Sequence, residues 1–253
     1  GEAHRIELVD GLAYVAAGGS LHIVDVSNPA TPLELGSVRP SGGVTNFVIS
    51  GDFAYVAAEI AGLRIIDVSD PATPTEIGFL DTPGYARGIT VVGTIAYVVG
   101  FDSGLRVIDV SDPTTPIEIG FVDTPRATWD VKTMGTLAFL ACGDSGLRVI
   151  DVSNPAAPVE IGALDTPGYS RQLALVGTIA YIADTGSGLR VVDVSHPAAP
   201  VEVGAADVPS NPYLVADYAR GVAVVGTHAY VADGYSGLRM IDVSNPNAPR
   251  QSG

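Results

Sequence analysis

Along residues 85–124, YARGITVVGTIAYVVGFDSGLRVIDVSDPTTPIEIGFVDT, apolar residues gather in four short runs: ARGITVV, TIAYVV, LRVIDVS and IEIGFVD. The runs are rich in Ile, Val, Tyr and Thr, and the breaks fall at Gly-Thr, Asp-Ser-Gly and Ser-Asp-Pro, residues whose backbone preferences suit tight turns. Val and Ile occupy both faces of the runs. No 3.6-residue period is present and a proline follows every third run, which excludes helical-hairpin repeats. The pattern predicts a four-stranded antiparallel meander, strands A to D, covered on both faces by its neighbours.

The pattern then recurs. GLRIIDVSDP begins at 62, GLRVIDVSDP at 104, GLRVIDVSNP at 146, GLRVVDVSHP at 188 and GLRMIDVSNP at 237, with a looser SLHIVDVSNP at 20. Their aspartates, Asp25, Asp67, Asp109, Asp151, Asp193 and Asp242, are spaced by 42 residues except for a last interval of 49. Six such units use nearly all of the 253 residues and leave no room for a second domain. Sheets buried on both faces must cover one another, and radial repetition does this while leaving only short edges. The predicted fold is all-β, a six-bladed β-propeller of four-stranded antiparallel blades spanning 1–253. Its repeats lie near 1–40, 41–82, 83–124, 125–166, 167–215 and 216–253, and the last blade has a truncated outer strand, Arg250 to Gly253.

LHIVDVS at 21–27 and LRVIDVS at 105–111 resemble the LVIVD repeat, named for that strand, and the resemblance covers all six repeats. It implies a propeller and a bacterial or archaeal surface or secreted protein, while implying little about activity.

Two sets of repeated residues read as architecture. The Asp and Ser of DVS-[DNH]-P stand where strand C turns into strand D, where a side-chain oxygen can hold backbone N–H groups. A calcium loop would need alternating carboxylates that this spacing lacks. Arg64, Arg106, Arg148, Arg190 and Arg239, with His22 in the first repeat, are each followed twelve residues later by Glu76, Glu118, Glu160, Glu202, Gln251 and Glu34 respectively. A C–D hairpin sets each pair on one face, so four Arg–Glu pairs are expected, weaker in the first and last repeats.

Charge narrows the partners. A formal charge of −15, a pI near 4.4 and a single lysine, Lys132, disfavour a phosphate backbone, so no nucleic-acid partner is expected. No apolar run approaches the ~18 residues of a membrane helix, so no membrane insertion is expected. The one cysteine, Cys142, excludes a disulfide within the chain and a multi-thiolate zinc site. The start at Gly1 suggests a processed product or an excised piece, and few lysines with many Gly, Thr and Asp fit an extracellular or cell-surface location.

Function should sit where the repeats differ, on the top face that carries the D–A and B–C loops. The additional residues of the last interval fall in the D–A loop entering blade 6, within 204–221, and an insertion on one face of a propeller commonly marks a binding face. Aligned on strand B, His4, Thr45, Arg87, Trp129, Arg171 and Arg220 hold one equivalent position, and Tyr85, Tyr169 and Tyr218 precede three of them by two residues. Three guanidiniums with Trp129 and the tyrosines suit a carboxylate, sulfate or phosphate on a sugar or peptide. Two cations ~8 Å apart repel by about 2 kcal/mol at an effective dielectric of 20, so acids should lie near them. Asp81, Asp123, Asp165 and Asp207 at the ends of strand D, and Asp102, Asp144, Asp184 and Asp233 in B–C loops, are the acids on hand.

No Gly-x-Ser-x-Gly elbow, Walker loop, His-Glu-x-x-His or Cys-x-x-Cys occurs, and the Ser-x-Asp-x-Gly-x-x-Trp boxes of sialidase blades are absent. His4, His22, His196 and His228 are scattered over different repeat positions, so no metal centre or other cofactor is expected, and Cys142 reads as an inert small residue. The expected function is a non-catalytic binding or scaffold domain that recognises a protein or glycan through the top face. The alternatives are a hydrolase acting on an acidic saccharide at the channel mouth, with paired aspartates as its acid and base, and a structural assembly subunit. The last rests on strand addition or self-association at blade 6, whose strand C is left partly uncovered.

Overall fold

A computed structural model describes residues 2–207 and 219–252 of the chain. Blade 1 consists of β1 (Ala3–Val9), β2 (Leu12–Ala17), β3 (Ser20–Asp25) and β4 (Leu33–Val38). Blade 2 holds β5 (Asn46–Ser50), β6 (Phe53–Ala57), β7 (Leu63–Asp67) and β8 (Thr75–Leu80), and blade 3 holds β9 (Tyr85–Val92), β10 (Ile95–Phe101), β11 (Gly104–Asp109) and β12 (Ile117–Val122). Blade 4 holds β13 (Asp130–Met134), β14 (Leu137–Ala141), β15 (Leu147–Asp151) and β16 (Val159–Leu164). Blade 5 holds β17 (Tyr169–Val176), β18 (Ile179–Thr185), β19 (Gly188–Asp193) and β20 (Val201–Ala206), and blade 6 holds β21 (Ala219–Val225), β22 (His228–Asp233), β23 (Leu238–Asp242) and β24 (Arg250–Gln251).

Every blade is one antiparallel sheet with its strands in chain order. The fold is a six-bladed β-propeller, and its final strand is short, with two residues. The chain forms two compact units, blades 1–3 over Gly1–Asp123 and blades 4–6 over Thr124–Gly253.

Blade packing explains why the strands are apolar on both faces. In the first unit Tyr14, Leu21 and Ile23 of blade 1 pack on Phe47, Val56 and Ile66 of blade 2, while Tyr55, Leu63 and Ile65 of blade 2 pack on Ile89, Val98 and Ile108 of blade 3. The second unit repeats the arrangement. Phe139, Leu147 and Val149 meet Leu173, Ile182 and Val192, and then Tyr181, Leu189 and Val191 meet Val222, Val231 and Ile241. Each blade thus has a trailing face, built from the strand B aromatic and the strand C leucine, and a leading face built from the alternate positions.

The glycine of strand D, absent from the sequence reading, belongs to the same contact. A side chain at Gly78 would clash with the carbonyl oxygen of Pro113 in the next blade's C–D turn, and Gly36, Gly162 and Gly204 meet Pro71, Pro197 and Pro246 in the same way. The turn of one blade is seated against the bare backbone of the previous one.

Candidate functional site

The position that aligns His4, Arg87, Arg171 and Arg220 is a β-bulge. Pairing of strands A and B slips by one residue there, between Ala3 and Arg5, Gly88 and Ala86, Ser170 and Gln172, and Ala219 and Gly221. A bulge inserts one unpaired residue and re-aims its side chain, which is how four blades present this residue at the top end. Thr45 and Trp129 stand immediately before β5 and β13, held by backbone bonds from their N–H groups to Ala57 and Ala141.

Blades 2 and 3 share a backbone arrangement with blades 4 and 5. A single antiparallel bridge joins Glu59 to Ala86, and another joins Gly143 to Ser170, so the B–C turn of one blade pairs with strand A of the next. The chemistry built on these two bridges differs. In the first unit Glu59 Oε1 lies 3.3 Å from Arg87 Nη1 as an ion pair. In the second unit the acid is replaced by Gly143, where a side chain would strike the Tyr169 ring. Tyr169 uses the space: its hydroxyl accepts a hydrogen bond from Trp129 Nε1 at 2.8 Å, and the two rings meet edge to face at 6.0 Å. Arg171 stacks on this pair, 4.4 Å from the Trp129 ring and 5.6 Å from Tyr169.

The Tyr169–Arg171 segment is anchored from beneath. Asp184, fully buried, accepts hydrogen bonds from Thr166 Oγ1 at 2.7 Å, Ser170 Oγ at 3.0 Å and the Gly168 N–H at 2.7 Å. In blade 4 the equivalent residues are Thr124, Thr128 and Cys142, joined by hydroxyl and thiol contacts at 2.8 and 3.4 Å. Burial pushes the Cys142 thiol up to about 12, so the residue is packing, as its sequence position suggested.

His4 and Arg220 are exposed at their bulges, and among the described residues Arg220 has no carboxylate partner. Thr185 Oγ1 donates to the Ala219 carbonyl at 3.0 Å, tying blade 5 to blade 6 next to Arg220. Tyr218, and residues 208–218 of the inserted loop, lie outside the described residues.

The four acids at the ends of strand D, suggested for the rim, are placed elsewhere. Asp81, Asp123, Asp165 and Asp207 bind the strand C arginines, at 2.7 Å to Arg64, 3.6 Å to Arg106, 2.7 Å to Arg148 and 2.9 Å to Arg190. Each of these arginines also holds the expected glutamate, Glu76, Glu118, Glu160 or Glu202, at 3.5–3.8 Å. His22 lies 2.8 Å from Glu34, while Arg239 turns to buried Asp233 at 2.6 Å instead of reaching Gln251. The twelve-residue interval places these glutamates as expected. The aspartates stand seventeen residues from their arginine, outside that interval.

A concavity of about 200 Å³ at the C–D turn of blade 6 is lined by Asp242, Ser244, Asn245, Ala248 and Arg250. Asp242 and Asn245 there already hold the N–H groups of Ser244 and Asn247, so it reads as turn structure. Among the described residues no three His, Cys, Asp or Glu side chains gather as a metal site.

Several solved structures share this architecture. The chain of U3-55K superposes with a TM-score of 0.78 at 13% identity, covering 100% of this chain and 83% of that one. A chain of the Mitotic Checkpoint Complex gives 0.77 at 13% identity, with 94% and 73% covered. The computationally designed Ika8 protein gives 0.74 at 10% identity, with 96% and 72% covered. At these identities the likeness is one of fold alone. No curated protein matches the sequence significantly. The model of the LVIVD repeat matches six times, over residues 1–39, 41–82, 83–124, 125–166, 167–208 and 216–253, and the chain therefore belongs to the LVIVD-repeat family.

Proposed function

We propose that the chain is an extracellular binding or scaffold module that recognises a protein or glycan through the top ends of its blades. The observation that carries this reading is the divergence at the two equivalent blade junctions. The backbone bridges are the same, yet one bears a Glu59–Arg87 ion pair and the other a Trp129–Tyr169–Arg171 stack. Repetition of the fold alone would give both junctions the same residues.

The surroundings support the reading. Ile60, Tyr85 and Phe101 are 68%, 46% and 40% exposed at the top of blades 2 and 3, with Tyr85 directly across the strand pair from Phe101. Aromatic and arginine side chains grouped on a rigid sheet end are the residue types that dominate interface energetics. The hydrolase reading draws no support from Asp184 and Asp233, which are buried and already bonded by the fold.

The test is a glycan and small-anion array probed with the native protein beside R87Q/R171Q/R220Q and W129A variants. A ligand whose binding falls at least tenfold in either variant places recognition at these residues. No ligand with the native protein removes glycans and small anions, and a ligand indifferent to all four changes places recognition elsewhere.

A further inference from the structure

We infer that the top corner shared by blades 2 and 3 binds a basic segment of a protein partner. The aliphatic stem of a lysine or arginine lies on its apolar side chains and the cationic head meets its carboxylates. The inference rests on the reading that the blade tops are the recognition surface, and it names the partner chemistry of one part of that surface. The residues concerned, Glu59, Ile60, Tyr85, Arg87, Phe101 and Asp102, all belong to the first unit.

The backbone brings them together. The Glu59–Ala86 bridge sets Ile60 beside Tyr85, and Tyr85 is paired with Phe101 across β9 and β10. Directly opposed residues of an antiparallel pair carry their side chains on one face. Three large apolar side chains, all exposed, thus follow one another across three neighbouring segments. A carboxylate stands at each end of this row, since Glu59 precedes Ile60 and Asp102 follows Phe101. Arg87 answers Glu59 at 3.3 Å, so the corner holds two acids to one cation.

These acids occupy left-handed backbone, with φ of 49° at Glu59 and 63° at Asp102, a region that a side chain disfavours. Two repeats further on, the same turns carry Gly143 at 50° and Gly186 at 83°. Glycine meets this geometry without strain. The turns therefore do not call for an acid, and its presence fits a role in recognition.

The composition selects the occupant. A basic side chain buries its stem on apolar surface and keeps its head among polar groups, and aromatic rings attract the head as well. A second copy of the chain is a poor match, because each copy carries a formal charge of −15 and one lysine. An acidic saccharide is repelled by the excess carboxylate.

Fluorescence anisotropy tests this with a short labelled peptide of alternating lysine and leucine, beside a counterpart with glutamate in place of lysine. The native chain is compared with Y85A, F101T and D102G, each of which installs the residue that another blade carries at that position, Ala127, Thr185 or Gly186. The expected result is saturable binding of the lysine peptide that weakens with salt. It should fall about tenfold in Y85A and in F101T, as loss of an interface anchor does, and several-fold in D102G. The glutamate peptide should not bind. Failure of the lysine peptide to bind the native chain overturns the inference, as does equal binding of the glutamate peptide. So does an affinity untouched by Y85A and F101T, which would mean attraction to net charge alone. If the lysine peptide fails while an array ligand is lost in the arginine or W129A variants, this inference falls and the top-face reading stands.

Discussion

In each of the six C–D turns an aspartate Oδ1 accepts the backbone N–H two residues on, at 2.8–2.9 Å, from Asp25 to Asp242. Hydrogen bonds from the following serine hold all six carboxyls below the usual carboxylate range. A lowered folded-state value means that the turns contribute stability above the unfolded value of about 3.9, and that the contribution is lost as pH falls through the folded value. The thermal midpoint should therefore drop steeply below about pH 4, and an Asp67→Asn, Asp109→Asn, Asp151→Asn variant, which keeps an acceptor but no titrating group, should show a shallower acid limb. Cys142 gives a second check at this scale. Being buried, with its thiol raised to about 12, it should resist alkylation at neutral pH in the folded protein and react once denatured.

At the scale of the element, strand D is held by two different devices. Toward the next blade it offers a glycine, and Gly78→Ala would drive a methyl into the Pro113 carbonyl. Overpacking of this kind costs about 1–3 kcal/mol, and each kcal/mol should lower the midpoint by about 2–4 °C in a chain of this size. Toward strand C it offers a glutamate and an aspartate to one guanidinium, as in the Arg148–Glu160 and Arg148–Asp165 pairs. Glu160 and Asp165 are solvent-accessible, so Glu160→Gln and Asp165→Asn should cost about 0–1 kcal/mol each in thermal unfolding. Arg148→Ala should cost more than either, because it uncovers the apolar stem packing as well as both charges. The pairs specify hairpin register more than they add stability.

For the whole molecule, the same letter at the same repeat position has different consequences. Leu189 is fully buried against blade 6, whereas Leu238 is 67% exposed. Leu189→Ala should destabilise by about 2–5 kcal/mol through lost burial and a cavity. Leu238→Ala should cost less, in keeping with its greater exposure. Equal losses in chemical unfolding would mean that the two leucines are covered alike in solution.

Much of this was legible in the chain. The spacing of DVS-[DNH]-P, the four apolar runs per repeat and the Arg-to-Glu interval determined the strands, their order, the turn aspartates and the outer ion pairs, because all of these are contacts between residues close in sequence or related by a constant interval. The equivalence of His4, Arg87, Arg171 and Arg220 was legible for the same reason. Their bulged backbone was not, since a slipped register depends on hydrogen bonds across two strands. Only the tertiary structure decided which acid meets which arginine, that Tyr169 fills the space left at Gly143, and that strand D glycines seat the neighbouring turn. Those outcomes depend on side chains from different blades competing for one volume, and a repeating sequence specifies each blade without specifying what lies against it.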